Sequence, residues 1–378
     1  MKAAVLPAIF LVLIGPSCAR KHEASSYKVE MADGVKVLRN FKTDSSRAFK
    51  PLEFEVDLSI GVEEGRENYM FVHPVDEDSD RSGNIYVLDH HDCVVKKYDS
   101  RGIFLKQFGR KGQGPSEFQY PDGLRLSDRN EIYVNDHNKI EVFSASGEYQ
   151  KTIVVEVLDF FDIVENGDLI IDHRTSDKDG NLYSSLGRWD FLSHRIRDFL
   201  SQRTFWPARF TDDEFAYEFP YFLRWCVSPK MQIFAASGVD YAIHVFDSRG
   251  NQLFRFMKDF TPVPVAGEEK KKVESIQAKV STRIAENPYG AKLVYPAFKN
   301  ISVDENNRIW VEQYQPDWRN RVHKETFYDV FSADGIFLFS TKIPGHLFSQ
   351  LKFKNGFLYA LKKNDSGLVA AVRIKMKE

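Results

Sequence analysis

The sequence predicts an all-β fold, a six-bladed β-propeller built from six copies of one four-stranded sheet. Two observations carry this. At six places an apolar strand enters a tight polar turn and returns as isoleucine or leucine beside a bulky apolar residue. The returning strands begin at Ile85-Tyr86, Ile132-Tyr133, Leu169-Ile170, Ile233-Phe234, Ile309-Trp310 and Leu358-Tyr359. A second ladder of turns, starting at Asp99, Ser144, Asp247 and Ser332, ends each time in the glycine that a positive φ favours. In the first two copies both markers recur at nearly the same spacing, so one repeat generates both. Hairpins repeated at that length stack into a closed array, which removes exposed sheet edges.

Composition agrees. Aromatic residues make up 14%, with 31 Phe and 16 Tyr, and aromatic side chains favour strands. With 43% hydrophobic and 28% charged residues the chain is ordinary for a globular protein. A net charge of -2 provides no global field to recruit nucleic acid, so that class of partner is not expected.

At the amino terminus Lys2 precedes an apolar run, Ala3 to Ile14, followed by Gly15-Pro16-Ser17-Cys18. The run is too short to span a bilayer and reads as a secretion signal. Small residues directly before a cysteine resemble a bacterial lipobox, which implies lipidation at Cys18. The expected division is therefore a signal over 1–18, a polar tether over 19–48 and the propeller over 49–378. The expected location is the bacterial cell envelope, lipid-anchored and either periplasmic or surface-exposed, with the membrane as first partner. Acyl chains suit that task, each buried CH₂ contributing about 0.8 kcal/mol.

Further along, strand signals at Val35 to Leu38 and Leu52 to Leu58 compete to complete the sixth sheet, which lacks a fourth strand of its own. The first copy reads as Tyr69 to Val75 on the inside, then Ile85 to Leu88, Val94 to Tyr98 and Ile103 to Phe108. The second reads as Gly123 to Leu126, Ile132 to Val134, Ile140 to Phe143 and Tyr149 to Val154. Between the fourth and fifth sheets, Glu268 to Glu286 carries Val273, Ile276, Val280 and Ile284 on one stripe. That insertion is predicted to be a helix covering the propeller face or serving as a lid. Cys93 and Cys226 fall in distant copies and read as packing residues without a disulfide.

The segment Gly109-Arg110-Lys111-Gly112-Gln113-Gly114-Pro115-Ser116-Glu117-Phe118 leads into Pro121-Asp122-Gly123-Leu124 and Ile132-Tyr133-Val134-Asn135-Asp136. It resembles the signature of NHL-type propellers. With the lipobox, six copies and a helical insertion, residues 50 to 375 are similar to the six-bladed NHL-like propeller lipoproteins of Bacteroides-type bacteria. The resemblance implies a fold and a location rather than an activity. The three glycines read as a linker between sheets, since no phosphate-loop pattern accompanies them.

Three groups of residues are candidates for chemistry. Asp89-His90, Asp136-His137 and Asp172-His173 repeat just after the second strand. His90, His137 and His173 would hold a divalent metal with an open position if they converged, as in catalytic zinc sites. The peptidylglycine-amidating lyases among NHL-type propellers use histidines from several blades, so the resemblance adds a metal-dependent lyase or hydrolase as the alternative function. The competing reading, which we carry forward, has each Asp capping backbone amides and no cofactor.

The second group lies on the inner strands: Arg125, Arg224, Lys299 and Lys352, with His73 and Asp162 in the other two copies. These cations form either a collar for a carboxylate or anionic sugar, or ion pairs in a wet channel with Asp162 among the partners. The third group comprises aromatic residues in two loops, with Trp206 and Trp318 as stacking platforms for a glycan or peptide. No Ser-His-Asp order or zinc-protease helix is visible. The expected function is a non-catalytic binding propeller that engages a glycan, a peptide or an envelope protein.

Overall fold

Each copy of the repeat folds into one antiparallel sheet whose strands follow one another from the axis outward. The computed structural model describes residues 26–41, 49–155, 158–179, 182–204, 223–238, 240–268, 270, 271, 274, 275, 294–314, 325–347, 349–364 and 366–377. Blade 1 comprises Pro74–Ser79, Ile85–Asp89, Val94–Tyr98 and Phe104–Phe108. Blade 2 comprises Pro121–Leu126, Ile132–Asp136, Lys139–Phe143 and Tyr149–Val154. Blade 3 comprises Phe160–Ile163, Leu169–Ser176, Leu182–Asp190 and Arg195–Thr204. The first four strands of blade 4 are Arg224–Val227, Ile233–Ala236, Ala242–Phe246 and Gln252–Lys258. Blade 5 comprises Phe298–Val303, Ile309–Gln313, Glu325–Phe331 and Phe337–Pro344. Blade 6 contains Lys352–Lys354, Phe357–Lys363 and Val369–Lys377. The protein is a six-bladed propeller.

Why these segments become strands is clearest in the second strand of each blade. Ile85–Asp89 and Ile132–Asp136 are buried at every position. A sheet packed between two neighbours has no wet face, so its central strands read as continuous apolar runs rather than alternating ones. Tyr86, Leu88 and Val95 of blade 1 meet Leu124, Ile132 and Val134 of blade 2 in one cluster. Five further clusters join blades 2 and 3, 3 and 4, 4 and 5, 5 and 6, and 6 and 1. The core is thus a ring of six interfaces. Each fully buried Leu, Ile, Val or Phe contributes about 1.5–3 kcal/mol.

Ring closure uses the second of the two candidate strands. Glu53–Ile60 pairs antiparallel with Val369–Lys377, so the start of the propeller supplies the outer strand of its last blade. Val35–Asn40 goes elsewhere: it runs parallel to Gln252–Lys258 as a fifth strand of blade 4, and Tyr27–Ala32 adds a sixth. Within the stretch expected to be a tether, residues 27–40 are therefore a hairpin, turned at Asp33-Gly34 with positive φ at both. Buried Asn40 fastens it, donating to the carbonyls of Met257 and Gly335 and accepting from the Phe337 amide.

Three other expectations meet the structure differently. The inner strand of blade 1 is Pro74–Ser79, not Tyr69 to Val75, and Glu67–Tyr69 forms a 3₁₀ turn instead. His73 consequently precedes the inner strand rather than lying on it. In the expected insertion helix, residues 267, 268, 270, 271, 274 and 275 are helical, and the rest of 268–286 lies outside the described residues. Cys18 lies outside them too. Cys93 and Cys226 are buried free thiols in separate clusters.

Candidate functional site: an axial cavity

All six inner strands contribute to the wall of one cavity of about 330 Å³ on the ring axis. It opens at the end where each inner strand turns into the second strand, beside Asp80, Asp128, Ser228, Glu305 and Asn355. The turns at this mouth are held by their own acids. Asp80 accepts from the amides of Ser82 and Asn84, the Asn84 side chain and the Tyr86 hydroxyl. Asp304 does the same for the amides of Asn306 and Arg308 and the indole of Trp310.

Deeper in, a series of ion pairs crosses four blades. Lys352 of blade 6 reaches Asp76 Oδ1 of blade 1 at 2.5 Å. Asp76 Oδ2 accepts from Arg125 and from the Leu124 amide of blade 2, both at 2.8 Å. Arg125 Nε then lies 3.9 Å from Asp162 Oδ2 of blade 3. A parallel pair joins Lys354 to Asp78 at 2.5 Å, while the other Asp78 oxygen takes the Leu126 amide at 2.9 Å. Buried charges persist only when paired and hydrogen-bonded, and this arrangement satisfies that rule.

The same geometry tunes the acids. Burial alone would raise the pKa of Asp78, but the ammonium groups of Lys354 and Lys352 outweigh it and hold the carboxyl below its ordinary value. For Asp162 burial wins over the nearby Arg125, and the pKa is raised. Burial works against the charge on Arg125, yet Asp76, Asp162 and Asp78 overcome it and push its pKa up. Glu77, on the opposite side of the strand from Asp76 and Asp78, is fully buried, and burial lifts its carboxyl to about 8.

Two of the four expected cations reach the cavity, Arg125 and Lys352, and Asp76 brings them together. Lys299 instead faces Glu312 within blade 5 at 3.8 Å, and Arg224 stands at the start of its strand, outside the lining. Trp206 and Trp318 lie outside the described residues. The sequence reading overlooked Asp76, Glu77, Asp78 and Lys354. A signal for them existed: the spacing from Leu126 to Ile132, applied back from Ile85, ends the first inner strand at Ser79.

The three histidines occupy the other end of the ring and do not converge. His90 Nδ1 lies 2.9 Å from the Pro121 carbonyl oxygen, whereas His137 is exposed with φ at 65°. His173 is buried against Asp198 of its own blade at 2.7 Å. Among the described residues no group of three His, Cys, Asp or Glu is placed to hold a metal ion. Two of their aspartate neighbours cap amides, whereas Asp172 accepts from the Ser184 hydroxyl. Asp89 accepts from the amides of Val72, His73, His91 and Asp92, and Asp136 from those of Gln119 and Tyr120.

The glycine-rich segment is likewise filled from within. Glu117 accepts from the Gly114 amide at 2.8 Å and pairs with Arg110 at 2.8 Å. A carboxylate of the chain itself stands where a phosphate cradle would need an empty nest.

Residues 75–186, from blade 1 into blade 3, match the family model DUF5128, described as a 6-bladed beta-propeller. No curated protein matches the chain. Among solved structures, a candidate exported protein from Bacteroides fragilis is similar, with 14% identity and a TM-score of 0.55 over 90% of this chain and 100% of that one. A DUF4221 family member from Bacteroides vulgatus is similar with 12% identity and a TM-score of 0.51, over 87% and 99% of the two chains. At these identities the likeness is one of fold.

Proposed function

We propose that this protein is a non-catalytic binding propeller of the cell envelope, and that its axial cavity holds a small polar ligand. The cavity itself is the observation that carries this reading. It is enclosed by all six inner strands, has room for a few polar groups beyond water, and carries fixed charge pairs in its deeper wall, beside which Asp162 keeps one oxygen open. Rigid, preorganised polar walls favour recognition. A nucleophile or general base, in contrast, must be free to exchange protons with a substrate. Asp76, Asp78, Lys352 and Lys354 are committed to one another.

The envelope assignment rests on the apolar amino-terminal run ending at Cys18 and on the NHL-like character of the second repeat. The likeness to a candidate exported protein of Bacteroides fragilis is consistent with it. Radiolabelled palmitate should enter the wild-type protein and not a Cys18→Ala variant, which should leave the membrane fraction. Labelling that is unaffected by the substitution removes the anchor from this reading. For the cavity, melting temperature is measured against a panel of amino sugars, sugars, sugar acids and diamines. At least one class should raise it, and Arg125→Met should abolish the shift. A panel without effect refutes the cavity as a ligand site.

A further inference from the structure

We propose that the ligand of the axial cavity bears a primary ammonium group and that Asp162 is the carboxylate that receives it. This rests on the cavity being a ligand site. It reverses the sign that a collar of basic residues implies, for reasons found in the acceptor inventory of the wall.

Consider every carboxylate lining the cavity. Asp78 Oδ1 takes Lys354 and the Ser79 amide, and its Oδ2 takes the Leu126 amide. Both oxygens of Asp80 are occupied within their own turn. Asp128 pairs with Arg81 at 3.0 Å across the rim. Glu305 uses one oxygen on the Asn355 amide and the other on the Gly356 amide. Asp162 differs. Its Oδ1 accepts from the Ile163 amide at 2.8 Å, but Oδ2 meets only Arg125 Nε at 3.9 Å, beyond hydrogen-bond range. Asp128 also keeps an oxygen open, but it stands on the exposed rim; below the rim Asp162 is the lining carboxylate with an oxygen that makes no hydrogen bond among the described residues.

Next, the cations. Arg125 and Lys352 share Asp76, and Lys354 has Asp78, so each lining cation near Asp162 already has a carboxylate partner. Neither Asp80 nor Glu305 has an ion-pair partner among the described residues, so the mouth is net acidic. A cleft lined by one excess sign concentrates ligands of the other. Inside, a charge-assisted hydrogen bond from an ammonium to Oδ2 would satisfy an acceptor now left open, and such bonds are about twice as strong as neutral ones. A carboxylate ligand would meet the opposite situation, with cations already paired and an acid that repels it.

The test is isothermal titration of the protein with putrescine, glucosamine, glucose and glucuronate, each to about 10 mM, a limit set by the weakest affinity of interest. Glucosamine or putrescine should bind saturably, glucose should not, and Asp162→Asn should weaken the amine about tenfold or more. Glu148→Gln, on the outer rim, should change nothing. Cys226→Leu narrows the cavity without touching a charge and should also weaken binding, which covers the case in which Asp162→Asn does not fold. Equal binding of glucose and glucosamine, unmoved by Asp162→Asn, overturns the ammonium assignment and leaves the cavity intact. Binding of glucuronate alone overturns it with the sign reversed. Binding of none of the four overturns both the assignment and the cavity as a site.

Discussion

Glu77 gives the sharpest test of how the inner ring is held. The residue is 1% exposed, and neither carboxyl oxygen makes a well-formed hydrogen bond among the described residues. Burial is the leading cause that lifts its pKa from 4.5 to about 8; Lys352 opposes the shift, while Asp76 and Asp78 add to it. The sign follows from linkage. In the unfolded chain the group ionises near 4.5, whereas in the folded protein it stays protonated until about pH 8. Its contribution to stability is therefore complete below pH 4.5 and is lost progressively as pH rises towards 8. At pH 7 that loss is on the order of 3 kcal/mol, taking about 1.4 kcal/mol for each pH unit above the unfolded pKa. Glutamine keeps the shape and cannot ionise. Glu77→Gln should thus match the wild type near pH 5 and exceed it increasingly up to pH 8, as read from urea unfolding at four pH values. The decisive quantity is the difference between the two proteins as a function of pH. A difference that stays constant from pH 5 to 8 would refute the reasoning, because no ionisation would then be coupled to folding at this position.

Three further outcomes follow from the same geometry. Asp76→Ala strands both Arg125 and Lys352 in the channel and should cost about 3–5 kcal/mol in chemical unfolding, the usual penalty for half a buried pair. Gly109→Ala should be destabilised by roughly 2 kcal/mol or more, read as a lower melting temperature. There φ is +85°, and an added Cβ would lie 2.3 Å from the Phe118 ring, so both backbone and side chain object. Ile60→Asp places a charge on the closing strand at a buried position and should open the seam between the first and last blades. Limited proteolysis should then cut first between residues 50 and 70, and protection there equal to wild type would count against closure by this strand.

The sequence spoke clearly about the outer parts of each blade and poorly about the inner ones, and the reason is physical. Second strands such as Ile132–Asp136 are packed on both faces, so their apolar runs and the polar turns before them are visible without a partner. The closing strand was visible too, but Val35 to Leu38 and Leu52 to Leu58 looked alike. What separates them is that Glu53–Ile60 follows the last free edge of the ring, whereas Val35–Asn40 finds blade 4 alongside. Hydrophobic periodicity failed altogether at Pro74–Ser79, where the run Asp76-Glu77-Asp78 looks like a solvated loop and Tyr69 to Val75 looks like a strand. Those three acids are buried only because Lys352 and Lys354 arrive from the far end of the chain, some 275 residues later in sequence. Charge at an inner strand therefore has no local meaning. From sequence Arg125 reads either as a collar cation or as half of an ion pair with Asp162; the structure gives it Asp76 at 2.8 Å as well as Asp162 at 3.9 Å. The repeat phase predicts which residues face the axis, but the sign of what the axis can hold is set by pairings between first and last blades, and these exist only once the ring has closed.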